Sequence, residues 1–67
     1  MTTMHAIVRQ VGCDHLLVCN CETNQEVIVY TDRACCFRPC DHVCICFNGV
    51  MTMSIPPQIT AESIKKM

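Results

Sequence analysis

The sequence predicts an all-β domain closed into a small five-stranded barrel. Three observations point there. Short runs rich in β-branched residues alternate with Gly, Pro, Asn and Asp punctuation at the spacing of a small barrel. Within those runs apolar residues recur every second position, the period of a half-buried strand. With 67 residues the chain is a single domain, 1–67, near the size at which one core barely suffices, and closure removes the exposed edges that so short a sheet would carry.

Each element follows from its residues. MHAIVRQV (4–11) reads as the first strand, with Ala6 and Val8 on one side and Ile7, Arg9 and Val11 on the other. Gly12, Cys13 and Asp14 make the turn into HLLVCNC (15–21), the second strand. ETNQ (22–25) is a polar hairpin loop in which Asn24 takes a left-handed conformation cheaply. EVIVYT (26–31) is the third strand and completes a meander. DRACCFRPC then breaks the alternation: Asp32 is expected to cap a helical turn over 33–37, and Pro39 to stop it. DHVCICFN (41–48) is the fourth strand. Asn48-Gly49 suggests a type I′ turn into VMTMSI (50–55) as the fifth, and Pro56-Pro57, which donate no backbone hydrogen bond, should end the ladder. The tail QITAESIKKM is either extended or a helical turn, anchored by Ile59 and Ile64.

Three strands, a short helical turn and a hairpin form the element order of an OB-like barrel. The expected core is Ala6, Val8, Leu16, Val18, Val27, Val29, Phe37, Val43, Ile45, Phe47, Met51 and Met53.

Composition narrows the function. Hydrophobic residues make up 51% of the chain and charged residues 16%, too few to clothe so small a body, so apolar surface should meet a partner. A net charge of −1 with dispersed cations provides no field for phosphates, and nucleic acid is not expected. Arg9, Arg33 and Arg38 with Tyr30, Phe37 and Phe47 would make a poor stacking platform, since both phenylalanines are assigned inside. No apolar run reaches the roughly 20 residues of a spanning helix, and the start lacks the pattern of a secretory signal, so a cytoplasmic protein without membrane attachment is expected.

The cysteines hold the remaining chemistry. Five of the eight, with His42, crowd into CCFRPCDHVCIC (35–46). Strand parity places Cys40, His42, Cys44 and Cys46 on one face and Val43, Ile45 and Phe47 on the other; the second is the natural core, so the thiols turn outward. Cys19 and Cys21 form a similar stripe on the second strand. In an OB-like order that strand and the fourth flank the first, roughly 9.6 Å apart, too far for one zinc with bonds of about 2.3 Å to join both stripes readily. A zinc or similar site would therefore use Cys36, Cys40, His42 and Cys44, although the chain has no CxxC knuckle. In a reducing compartment, thiols with no assigned chemistry are the simpler reading, and adjacent Cys35-Cys36 offers only a strained bridge. His5, His15 and His42 stand alone, and no spacing brings a nucleophile, a base and an oxyanion donor together, so no catalytic residue is assigned and an enzyme is not expected.

NGVMTMSIPPQITA (48–61) resembles the closing hairpin of small uncharacterised OB-like proteins of Firmicutes, and LLVCNCETNQEVIV (16–29) is similar to their second and third strands. The chain differs from that pattern at Asn24, which stands for a turn glycine, and at Pro39-Cys40. The resemblance implies a fold and carries no activity or site residues. The resulting expectation is a non-catalytic β-barrel interaction module without a cofactor, self-associating into a homo-oligomer through an outer face of Ile7, Val11, Leu17, Ile28 and Tyr30. The alternative is a thiolate metal-binding protein built on the 35–46 cluster.

Overall fold

A computed structural model describes residues 2–67. Five strands close a barrel: β1 (Thr2–Val11), β2 (His15–Asn20), β3 (Glu26–Tyr30), β4 (His42–Phe47) and β5 (Gln58–Lys66). Around the barrel they run β1-β2-β3-β5-β4, and β4 returns to β1. Every contact is antiparallel except β3 with β5, which is parallel. This is the expected all-β, five-stranded OB-like barrel, with a single 3₁₀ turn (Ala34–Cys36) between β3 and β4.

Alternation sets the register. Leu16 faces Val29 and Val18 faces Val27 across β2 and β3, and all four are fully buried. Ala6 and Val43 pair across β1 and β4, and Ile45 lies between Met4 of β1 and Ile64 of β5. The β2–β3 turn closes with Asn24 at φ 58, the left-handed region anticipated for it, while the Asn20 side chain accepts from the Glu22 N–H at 2.8 Å. At the other end of the sheet Gly12 donates to the His15 carbonyl at 2.8 Å. A Cβ on Gly12 would lie 2.5 Å from the His15 ring, so only glycine leaves the ring its place.

The crossover from β3 to β4 covers one barrel end with Ala34 and Phe37, both buried. Its helical turn starts without the Asp32 cap: the first position has no side-chain cap, and the Arg33 N–H goes to the Thr31 hydroxyl at 3.2 Å. The segment re-enters the sheet through Cys40, whose N–H donates to the Val8 carbonyl at 2.7 Å with φ at 75.

The largest correction concerns the fifth strand. VMTMSI (50–55) is a loop, and QITAESIKK forms β5. Asn48-Gly49 makes no hairpin; the Asn48 side chain accepts from the Val50 N–H at 3.0 Å, and Gly49 sits at φ 89 with Thr2 close beside it. Pro56-Pro57 precede β5 rather than end it, and the Pro57 carbonyl accepts from the Ile28 N–H at 2.9 Å. Met51 and Met53, expected inside, are 37% and 100% exposed, and their places in the core go to Ile59 and Ile64. Met4 and Ala34 complete the buried hydrophobic core.

Two irregularities explain why these inward positions escape a strict period of two. In β5, Cys46 faces Ser63 while Phe47 faces Ala61, so Glu62 is an extra residue and the parity shifts between Ile59 and Ile64. In β1 the register skips Arg9, which brings Val11 opposite Leu16 at the rim, 37% exposed, rather than onto the face of Ile7.

Candidate functional site

Two surfaces carry unusual chemistry: the thiol face and the β4–β5 loop. On β4, Val43, Ile45 and Phe47 are buried, and Cys44 and Cys46 are half-buried on the outside, as parity requires. His5 pairs with Cys44 on one side, and on the other its carbonyl accepts from the Cys21 N–H at 3.0 Å. A transverse row Cys21, His5, Cys44 therefore runs from the turn after β2 across β1 to β4, with Cys19 of β2 beside Ile7 in the next row. The outer face of a barrel is convex, so side chains on successive strands splay apart.

The four residues expected to hold a metal are distributed as follows. Cys36 is exposed on the 3₁₀ turn, Cys40 is exposed in the turn before β4, His42 is exposed at the start of β4, and Cys44 is half-buried one pleat further on. Among the described residues no group of three or more His, Cys, Asp or Glu stands close enough to hold a metal ion. All eight cysteines are free thiols; Cys46 Sγ lies 3.8 Å from the Thr3 hydroxyl.

The other polar contacts are local. His15 Nδ1 lies 2.9 Å from Asp14 Oδ1, with the carboxylate exposed and the ring about half so, a neighbour pair of small energetic weight. The same ring tilts against Tyr30 at 6.0 Å between centroids. Asp41 accepts from the Arg38 N–H at 2.9 Å and meets Lys66 at 3.5 Å; the backbone hydrogen bond, aided by the lysine, holds its carboxyl below the usual aspartate range. This arrangement ties the crossover to the end of β5. Phe37 and Phe47 are buried, leaving Tyr30, 38% exposed, as the accessible aromatic.

By periodicity the β4–β5 loop gives no site signal in the sequence, where 50–55 has the alternation of a strand and Met51 and Met53 read as core residues. It exposes Val50 at 67%, Met53 at 100% and Ile55 at 99%. Side-chain hydrogen bonds give it a built shape. The Thr52 N–H donates to the Gln58 carbonyl at 3.1 Å, and the Gln58 N–H returns a bond to Thr52 Oγ1 at 2.9 Å. The Thr52 and Ser54 hydroxyls lie 2.7 Å apart, and Ser54 donates to the Pro56 carbonyl at 3.0 Å. Beneath the loop, Tyr30, Val50, Thr52 and Thr60 line a cavity of about 230 Å³, below the usual size of a small-molecule site. The sequence signal that could have found this surface is charge: no Asp, Glu, Lys or Arg occurs from 42 to 61.

The fold and these surfaces define a class: a small OB-like barrel with an apolar, hydrogen-bonded loop at one end and thiols along its side. Comparison with protein-family models, with curated proteins and with solved structures finds no match. No helix among the described residues is long and apolar enough to cross a membrane.

Proposed function

We propose that the chain is a non-catalytic binding module, a rigid barrel that presents the β4–β5 loop to the surface of another macromolecule. The supporting observation is the pairing of full exposure with built structure: Met53 and Ile55 stand wholly in water on a loop whose hydroxyls are already bonded to one another and to the backbone. Burying each such side chain is worth roughly 1.5–3 kcal/mol, and a loop held in shape loses little conformational entropy on contact. Polar groups that are satisfied within the loop add little desolvation penalty. Ile7, Leu17 and Ile28, half-buried on the outer barrel face, offer a second and weaker apolar strip. The setting we infer is the reducing cytoplasm, where eight thiols persist unpaired.

The test is binding of the dye 1-anilinonaphthalene-8-sulfonate at low micromolar protein. The wild-type chain should enhance its fluorescence, and the variant M53D with I55D should lose most of that enhancement while keeping its far-UV circular dichroism. Equal dye binding by the two proteins would remove the loop as the contact element. Elemental analysis of protein purified without chelator bears on the thiolate alternative: one metal per chain, lost in a variant with Cys44→Ser and His42→Ala, would replace the present reading.

A further inference from the structure

We propose that the loop's partner is a second copy of this chain: two barrels pair loop to loop about a two-fold axis, each burying Met53 and Ile55 against the other's loop. This rests on the loop being a contact surface and adds who the partner is. The main argument is electrostatic. In a two-fold contact every group near the axis meets its own kind, so any net charge there repels itself. The loop has none; the 20 residues from 42 to 61 contain no formally charged side chain apart from what His42 acquires on protonation. For the same reason the loop lacks the cations that would draw it to anionic lipid or an acidic partner.

Area sets how far the contact must reach beyond Met53 and Ile55. A stable dimer removes roughly 800 Å² from each partner, about a fifth of the 4397 Å² that this chain exposes. Apart from half-buried Pro56 and buried Pro57, every residue from 48 to 57 is exposed, and three of them are large aliphatic or thioether side chains more than half in water. Topology adds surface at the same end of the barrel. β2 and β4 both run antiparallel to β1, so the β2–β3 turn and the start of β1 border the loop's end. Thr2 already lies against Gly49 there. Glu22 and Glu26 lie at the same end, Glu26 two residues before Ile28, whose N–H donates to the Pro57 carbonyl, so the two-fold pairing must leave these acids at the rim of the contact rather than on its axis.

Sedimentation velocity of the full chain, with reductant present so that exposed thiols form no cross-links, tests the pairing up to about 1 mM, high enough to populate even a contact as weak as a millimolar dissociation constant. The expected result is a monomer–dimer equilibrium in the wild type. The variant M53D with I55D should dissociate at least ~100-fold more readily. Methionine-methyl NMR over the same range should shift the Met53 and Met51 signals with concentration and leave that of Met4, which is buried in the barrel, unmoved. If the aspartate variant lost its fold, M53A with I55A would take its place. A wild type that stays monomeric at 1 mM, a dimer that tolerates both variants, or a monomer that instead binds phosphatidylcholine vesicles through the loop would overturn the proposal. Loop-dependent dye binding by a persistent monomer would leave the loop a contact surface while removing the second copy as its partner.

Discussion

Replacing Ile45 by alanine tests the parity on which the barrel is built. Ile45 is fully buried at the middle of β4, between Met4 and Ile64 in the neighbouring strands. Truncation to alanine leaves a cavity among core side chains, for which about 2–5 kcal/mol is the usual cost. A 67-residue domain has only about 3–10 kcal/mol in all. At about 4–8 °C per kcal/mol for this size, the melting temperature should fall by roughly 8–40 °C. Cys44→Ser and Cys46→Ser, one position to either side but on the half-exposed outer face, should each cost no more than about 1 kcal/mol. Urea and thermal unfolding followed by circular dichroism, in reductant, measure all three. A serine variant as damaging as the alanine variant, or an Ile45→Ala protein within about 1 kcal/mol of wild type, would refute the assignment of inner and outer faces.

Three further predictions follow from the same structure. Ile59→Ala should destabilise by about 2–4 kcal/mol, whereas Met53→Ala, fully exposed, should change stability by about 0.5 kcal/mol or less; the reverse order in urea unfolding would restore the 50–55 segment to the core. Cys40 holds a left-handed φ of 75 that a side chain disfavours, so Cys40→Gly should hold stability or raise it by up to about 1 kcal/mol; a clear loss would show that the thiol makes a stabilising contact. Asp41 has its carboxyl depressed by the Arg38 N–H and Lys66, so its contribution is complete above the ordinary aspartate value of about 3.9 and is lost as pH falls through the lower folded value. The stability difference between wild type and Asp41→Asn should therefore be constant from neutral pH down to about 4 and shrink below it; a difference that grew on acidification would contradict the assigned sign.

Much of the fold can be read in the chain because strand alternation is a local property. Val27 and Val29, Leu16 and Val18, and Val43, Ile45 and Phe47 announce their buried sides by spacing alone, and all seven are buried. The outward direction of Cys44 and Cys46 follows from the same count. Asn24 reaches its left-handed turn because its side chain tolerates that conformation in isolation. The candidate surface was less accessible to such reasoning. Val50, Met51, Met53 and Ile55 have the composition and alternation of a strand, and nothing in their own sequence says that they lack a partner to pair with.

What the sequence by itself determined is thus the all-β class, four of the five strands and the side each of those strands buries, since these depend on neighbours one or two positions away. Which segment closes the barrel was decided only in three dimensions. The closing strand must lie parallel to β3 and antiparallel to β4 at once, and Gln58–Lys66 does so with an extra residue at Glu62 that lets both Ile59 and Ile64 face inward. Periodicity cannot register such an inserted residue, because its effect on parity exists only relative to the strand alongside. Once QITAESIKK occupies that position the apolar residues of 50–55 are left in water, and the exposed loop is a consequence of closure rather than of local preference.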